Sequence, residues 1–242
     1  MLYIFLMLIT KYNSLNYDLK RRSSKSITAI IIHYTGMQSE RESLKRLISS
    51  KSRVSCHYLI GRSGSVFRLV NDQNIAWHAG KSMWGKYKNL NKNSIGIELV
   101  NKGHKFGYQS FTRIQINNLI KLCKNLKRKY KIKNKFILGH SDIAPLRKID
   151  PGEKFPWRYL FSRGIGIYPI KTGKLSKFKK NTDLKIFYNN LNKLGYRYLV
   201  PKFRRKIIKN FQRRFRQNRI DGILDLETME ISQILLKKWN IS

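Results

Sequence analysis

Apolar positions along the chain follow two periods, alternation and helical spacing, and together they predict most of the elements. Residues 27–34 (ITAIIIHY) form a β-branched apolar run of buried-strand character that ends in His33, Tyr34, Thr35 and Gly36. Residues 39–50 place Leu44, Leu47 and Ile48 at helical spacing, with Ser39 and Glu42 in the positions of a capping box. Residues 54–60 (VSCHYLI) and 65–70 (SVFRLV) alternate as two strands, and Gly61, Arg62, Ser63 and Gly64 between them supply hairpin turn chemistry. Residues 76–80 (AWHAG) read as a tight aromatic loop. Residues 94–100 (SIGIELV) read as another buried strand that carries Glu98 among apolar neighbours. Residues 111–130 predict a long amphipathic helix whose apolar side draws on Ile116, Leu119, Ile120, Leu122, Cys123 and Leu126. A short strand at 135–138 (KFIL) then gives way to a charge-dense loop, GHSDIAPLRKIDPGEKFPW, punctuated by Pro145, Pro151 and Pro156. The order β-α-β-β-β-α-β predicts an α/β or α+β domain over residues 26–163.

Past that domain the pattern changes. Residues 164–181 are rich in Gly and Lys without periodicity and read as a linker. Residues 182–242 predict a small domain of three helices: 184–194, stopped by Gly195, then 206–215, then 225–239 after the Asp221-Gly222 turn. A unit of that size lies near the lower limit at which a core sustains itself. The N-terminal segment, 1–25, opens with MLYIFLMLIT, which is too short to span a bilayer. It has the look of a degenerate export signal, without a basic stretch before it or an A-x-A-like site after it.

Composition adds charge to this picture. The 242 residues carry 51 Lys and Arg against 13 Asp and Glu, a formal net charge of +38. Such a charge attracts polyanions, yet the basic residues are spread along the whole chain, as A+T-rich codon usage also produces. No recognisable nucleic-acid motif accompanies them, so no specific nucleic-acid partner is expected. Association with anionic envelope polymers is the expectation that charge supports. The two cysteines, Cys56 and Cys123, form no CxxC pair and no disulfide framework.

Candidate chemistry concentrates at strand ends. His33 closes one predicted strand, His140 follows another, and Asp150 lies in the loop beyond. Three N/O ligands with an open fourth position are how catalytic zinc is commonly held, although a histidine at a strand end also serves as a hydrogen-bonded structural residue. Spacing alone does not decide between the two. Glu98 would be costly to bury unpaired, and beside a metal-bound water a carboxylate acts as general base. Lys148 precedes Asp150 by two residues, so an extended segment points both the same way. Its ammonium suits an oxyanion developing on an amide carbonyl. A solvated lysine is the plain alternative.

IIIHYTGM, VSCHYLIGRSGSVFRLV, AWHAG, SIGIELVN and GHSDIAPLRKIDPGEKFPW, in this order, resemble the zinc-dependent N-acetylmuramoyl-L-alanine amidases of the type 2 amidase family. The resemblance covers about residues 27 to 160. It implies a central mixed β-sheet flanked by helices. The implied activity is hydrolysis of the amide between N-acetylmuramic acid, or anhydro-muramic acid, and L-alanine of the stem peptide. By position it implies one zinc ion on His33, His140 and Asp150, Glu98 as catalytic carboxylate and Lys148 as oxyanion partner. His57, Trp77, His78 and Arg147 fall at positions around the family's substrate cleft, where Trp77 would stack on a sugar and Arg147 would meet a stem carboxylate. Tyr58 fits better as strand core. FQRRFRQNRIDGILDLETMEI resembles the peptidoglycan-binding domain type 1 motif, with Asp225 as a candidate N-cap. The layout is that of periplasmic amidases, with the cytoplasm as the alternative, and the chain is expected to work as a monomer on peptidoglycan or muropeptides. The rival reading is a non-catalytic peptidoglycan-recognition protein using the same cleft. Loss of a ligand or of the glutamate would favour it, and all five residues are present.

Overall fold

A computed structural model describes residues 7–170 and 183–239. The nine strands among these are β1 (Tyr17–Asp18), β2 (Ala29–Tyr34), β3 (Tyr58–Ile60), β4 (Val66–Arg68), β5 (Ile75–Ala76), β6 (Met83–Trp84), β7 (Tyr87–Lys88), β8 (Ser94–Leu99) and β9 (Ile137–Gly139). The helices are α1 (Glu40–Ile48), α2 (Arg113–Tyr130), α3 (His140–Ile143), α4 (Trp157–Ser162), α5 (Leu184–Leu194), α6 (Arg204–Phe215) and α7 (Leu226–Trp239). The central sheet has five strands in the order β4-β3-β8-β2-β9. β2 runs parallel to both β8 and β9, β3 runs parallel to β8, and β4 closes the edge antiparallel to β3. The fold is the mixed α/β architecture expected from the sequence.

A largely parallel sheet has to be covered on both faces, and β2 shows how this chain does it. Ile30 and Ile32 point into a core built with Ile116, Leu119, Cys123 and Leu126 of α2 and Trp157 and Leu160 of α4. Ala29 and Ile31, on the opposite face by strand alternation, belong to a second core with Leu138, Ile143, Phe187, Leu191, Ile207 and Phe211. The last four come from α5 and α6. The C-terminal helices therefore form part of the second layer of the sheet. This explains how so short a helical unit holds together: it shares its apolar core with the larger domain.

Local signals placed most element ends. Ser39 Oγ accepts from Glu42 N–H at the start of α1, but the Glu42 carboxylate reaches past the cap to Gln38 N–H. Thr112 caps α2 through Gln115 N–H, and Asp225 Oδ1 accepts from Thr228 N–H at the head of α7. Three features differ from the sequence reading. His140 opens the one-turn helix α3, because Asp142 Oδ2 accepts from Gly139 N–H and caps a turn where Pro145 had suggested only a loop. β5 pairs with β1 of the N-terminal segment, so AWHAG begins in a short ladder. The SMWGKYK stretch folds into the β6–β7 hairpin, where β strength is low and Gly85 takes φ 55° at the turn. Most of the expected linker, from residue 171, lies outside the described residues, as does the very start of the N-terminal apolar run. Among the described residues no helix is long and apolar enough to cross a membrane.

Candidate active site and metal centre

Strand register builds the site. β2 lies between β8 and β9, so His33 sits level with Glu98, while Ile32 pairs with Gly139, directly before His140. Two imidazoles and two carboxyls from distant parts of the chain thus meet at one edge of the sheet. His33 Nδ1 lies 2.9 Å from His140 Nδ1, and each is 3.1 Å from Asp150 Oδ2. All three residues are buried.

The surroundings prepare these atoms for a cation. His140 Nε2–H donates to the Ala79 carbonyl at 3.1 Å, which fixes the tautomer and leaves the Nδ1 lone pair facing His33 and Asp150. His33 turns its other nitrogen to His78 Nδ1 at 3.0 Å. Burial and the neighbouring His140 push His33 down to about 4, so its ring is neutral near pH 7. Burial alone would raise Asp150, but the facing His140 and His33 rings outweigh it and hold the carboxyl well below the usual range. A neutral imidazole and an ionised carboxylate are the states metal ligation requires. Two ring nitrogens and a carboxylate oxygen converging within 4.8 Å fit one small divalent ion better than they fit each other.

Glu98 stands beside this cluster in a different state. Its Oε2 is buried without a hydrogen-bond partner. Burial, reinforced by repulsion from Asp150 and opposed by Lys148, pushes its carboxyl up to about 8. Two neighbouring carboxyls are therefore driven apart, one locked as an anion and one that keeps its proton up to about pH 8 while no cation lies beside it. Glu98, His140, Lys148 and Asp150 open onto a cavity of about 630 Å³ that Trp77, His78 and Arg147 also line.

The expected substrate residues divide. Trp77 lines the cavity and donates its indole N–H to Asp18 at 2.7 Å, so its nitrogen is already committed. Arg147 lines it too, with its guanidinium drawn onto the carbonyls of Ala79 and Lys81. His78 supports His33 directly, and it packs so closely on Gly96 that a Cβ there would lie 2.3 Å from the ring. His57 is 0% exposed and is not among the cavity-lining residues. Its ring accepts from Gly96 N–H and meets Arg22 and the Asn74 carbonyl, so it braces the framework behind this cavity. Tyr58 is core, its hydroxyl donating to Asp72 at 2.6 Å. Cys56 is buried, and that burial pushes its thiol well up, consistent with an inert packing role.

Sequence reasoning reads Asp142 as a structural carboxylate of the loop, but it does not name the partners the structure gives it. This buried carboxylate caps α3, accepts from the Tyr196 hydroxyl at 2.6 Å and pairs with Arg214. The Arg214 guanidinium also stacks over Trp157 at 4.3 Å. The loop that carries two of the site residues is thereby tied to the C-terminal helices. The only signal was the pair of arginines in FQRRFR, which resemblance assigned to a motif.

Residues 23–153 match the family described as N-acetylmuramoyl-L-alanine amidase. The chain belongs to that family. The amidase is 35% identical over 233 residues to N-acetylmuramoyl-L-alanine amidase AmiD of Escherichia coli, covering 88% of this chain and 83% of that protein. To the 1,6-anhydro-N-acetylmuramyl-L-alanine amidase AmpD of Haemophilus influenzae it is 35% identical over 162 residues, 59% of this chain and 86% of the relative. Among solved structures, AmiD in complex with anhydro-N-acetylmuramic acid-L-Ala-D-gamma-Glu-L-Lys superposes with a TM-score of 0.80 at 33% identity, covering 93% of each chain. AmpDH3 of Pseudomonas aeruginosa, in complex with an anhydromuramic pentapeptide, superposes at 0.79 with 31% identity, over 95% of this chain and 98% of that one. The likeness to AmiD and AmpDH3 spans nearly the whole amidase, C-terminal helices included.

Proposed function

We propose that this amidase is a zinc enzyme that hydrolyses the amide between muramic or anhydro-muramic acid and L-alanine of the stem peptide. The observation that carries the proposal is the juxtaposition of a three-residue metal cluster, His33, His140 and Asp150, with the unpartnered Oε2 of Glu98 at one cavity. Support for the substrate comes from AmiD and AmpDH3, whose solved structures hold anhydromuramyl peptides. Its size agrees, because about 630 Å³ accommodates one sugar and the first residues of a peptide.

His33, His140 and Asp150 would hold the zinc, which when bound acidifies water and polarises a carbonyl. The protein supplies the remainder. Glu98 Oε2, with no competing donor, takes the proton of the attacking water and returns it to the departing L-alanine nitrogen. The Lys148 ammonium faces the charge that builds on the carbonyl oxygen. The Trp77 ring offers a sugar platform, and Arg147 offers charge toward a stem carboxylate once its carbonyl contacts are exchanged. Wall attachment by the C-terminal helices, and action in the cell envelope, are further parts of the proposal. They rest on the extra helices shared with AmiD.

The test separates metal from chemistry. Purified enzyme should contain about one zinc and release stem peptide from muramyl peptides. His140→Ala should lose both metal and activity. Glu98→Ala should keep the metal and lose turnover by about 10² to 10⁴. A fully active Glu98→Ala enzyme would sink the mechanism. Digesting intact sacculi beside isolated anhydro-muropeptides, with product identification, assigns the preferred substrate.

A further inference from the structure

The segment between α3 and α4 carries Lys148 and Asp150 yet belongs to no sheet and no long helix. Its backbone carbonyls have no ladder to join, and buried carbonyls need partners. The partners come from α6 and the residues just after it. Asn210 donates through one amide nitrogen to the Pro145 carbonyl at 2.6 Å and to the Lys148 carbonyl at 3.1 Å. Gln217 donates to the carbonyls of Glu153 at 2.7 Å and Phe155 at 2.6 Å. Asn210 is itself 1% exposed, and its Oδ1 is occupied by Arg213 at 2.7 Å, so the amide cannot turn over without losing bonds on both sides.

The consequence falls on Lys148. Its N–H is bound to the Ala144 carbonyl at 3.1 Å and its carbonyl to Asn210, so its backbone is gripped from both sides. The direction in which its side chain leaves the backbone is set by one bond from its own loop and one from the C-terminal helices. Asp150 depends on this grip less, because its carbonyl accepts from Ser141 N–H at 2.9 Å within the catalytic domain.

We infer that Asn210, a residue of the C-terminal helical domain, is a positioning residue for hydrolysis: by holding the Pro145 and Lys148 carbonyls it aims the Lys148 ammonium at the developing oxyanion. The inference rests on the proposed role of Lys148. It gives the C-terminal helices a share in turnover that is separate from any hold on the wall.

The experiment is a double-mutant cycle on the full-length, zinc-loaded enzyme with a soluble muramyl peptide, which needs no wall binding. Asn210→Asp keeps the side-chain shape and removes the donor; Asn210→Ala serves in the same cycle should the aspartate variant fold poorly. Each should lower kcat about tenfold or more, with KM and zinc content unchanged. On a Lys148→Ala background the same change should cost no further turnover, since nothing remains to aim. Asn190→Ala is the control, because Asn190 is equally part of the buried helical core but binds Ser232 and touches no loop carbonyl. It should lower Tm while sparing kcat. Unchanged kcat in the Asn210 variants, or losses that simply multiply with that of Lys148→Ala, overturns the inference. A Lys148→Ala enzyme of full activity instead overturns the reading of Lys148 itself.

Discussion

At the scale of residues the site works by separating the states of like groups. Asp150 and Glu98 are both buried carboxyls, but two imidazoles face the first and none of the second's neighbours satisfies its Oε2. A stability experiment on the metal-free protein reads this directly. Glu98, raised from 4.5 to about 8, is protonated in the folded chain where the unfolded chain has lost its proton, so its contribution falls as pH rises through that window. His33 and His57, lowered to about 4 and about 3, act oppositely: their contribution is lost as pH falls below 6.5. The two effects oppose each other below pH 6.5. Between about pH 7 and 8 only the glutamate's remains. Urea titrations of the chelated protein should show stability declining over that interval, and Glu98→Gln should flatten the decline. An unchanged slope in the variant would place the glutamate's proton elsewhere. These residues were legible in sequence because each broke a local rule: a carboxylate inside SIGIEL, a histidine ending ITAIIIHY. Asn210 and Gln217 broke none. A polar residue on a helix says nothing about which distant carbonyl it meets.

At the scale of elements, the parallel trio β8-β2-β9 does the assembling, and α6 does the holding. The trio was readable from three short apolar runs, and their register then followed from pairing that no local pattern encodes. α6 was readable as a helix, while its target was not, since a buried face looks the same whichever surface covers it. Arg214 tests the arrangement. It is 2% exposed, pairs with the 1% exposed Asp142 and donates to the Ile137 carbonyl at 2.9 Å. Arg214→Met strands a buried carboxylate and should cost about 3 to 5 kcal/mol in denaturant titrations. Changing Asp142→Asn as well should recover part of that loss. A small effect of Arg214→Met alone would mean that the two layers are not joined through this pair.

At the scale of the whole molecule two properties act over different distances. The net charge of +38 works through the solvent and is screened by salt. Retention on isolated walls should therefore fall steeply from about 0.01 to about 1 M salt, as the screening length shrinks from about 30 to about 3 Å. Turnover of a small soluble muramyl peptide should change far less. Salt-independent retention would assign wall affinity to fitted contacts instead of charge. The shared core acts only by contact. Ala29 and Ile31 of the sheet and Phe187, Leu191 and Phe211 of the helices belong to one apolar cluster, so the two domains read separately in sequence share a core in the fold. Sequence divides a chain by changes in pattern, and a helical pattern following a mixed one marks a boundary even where the side chains recognise none.

That continuity has a bearing on recombination. Wall-targeting cassettes are attractive parts for chimeric lytic enzymes, and the C-terminal helices here would be cut out at the linker. A replacement cassette would leave the Ala29–Ile31 face bare and the Pro145 and Lys148 carbonyls without Asn210. The graft would have to bring an apolar face, an arginine for Asp142 and an amide for the loop, or the engineered enzyme would find its wall and fail to cut it.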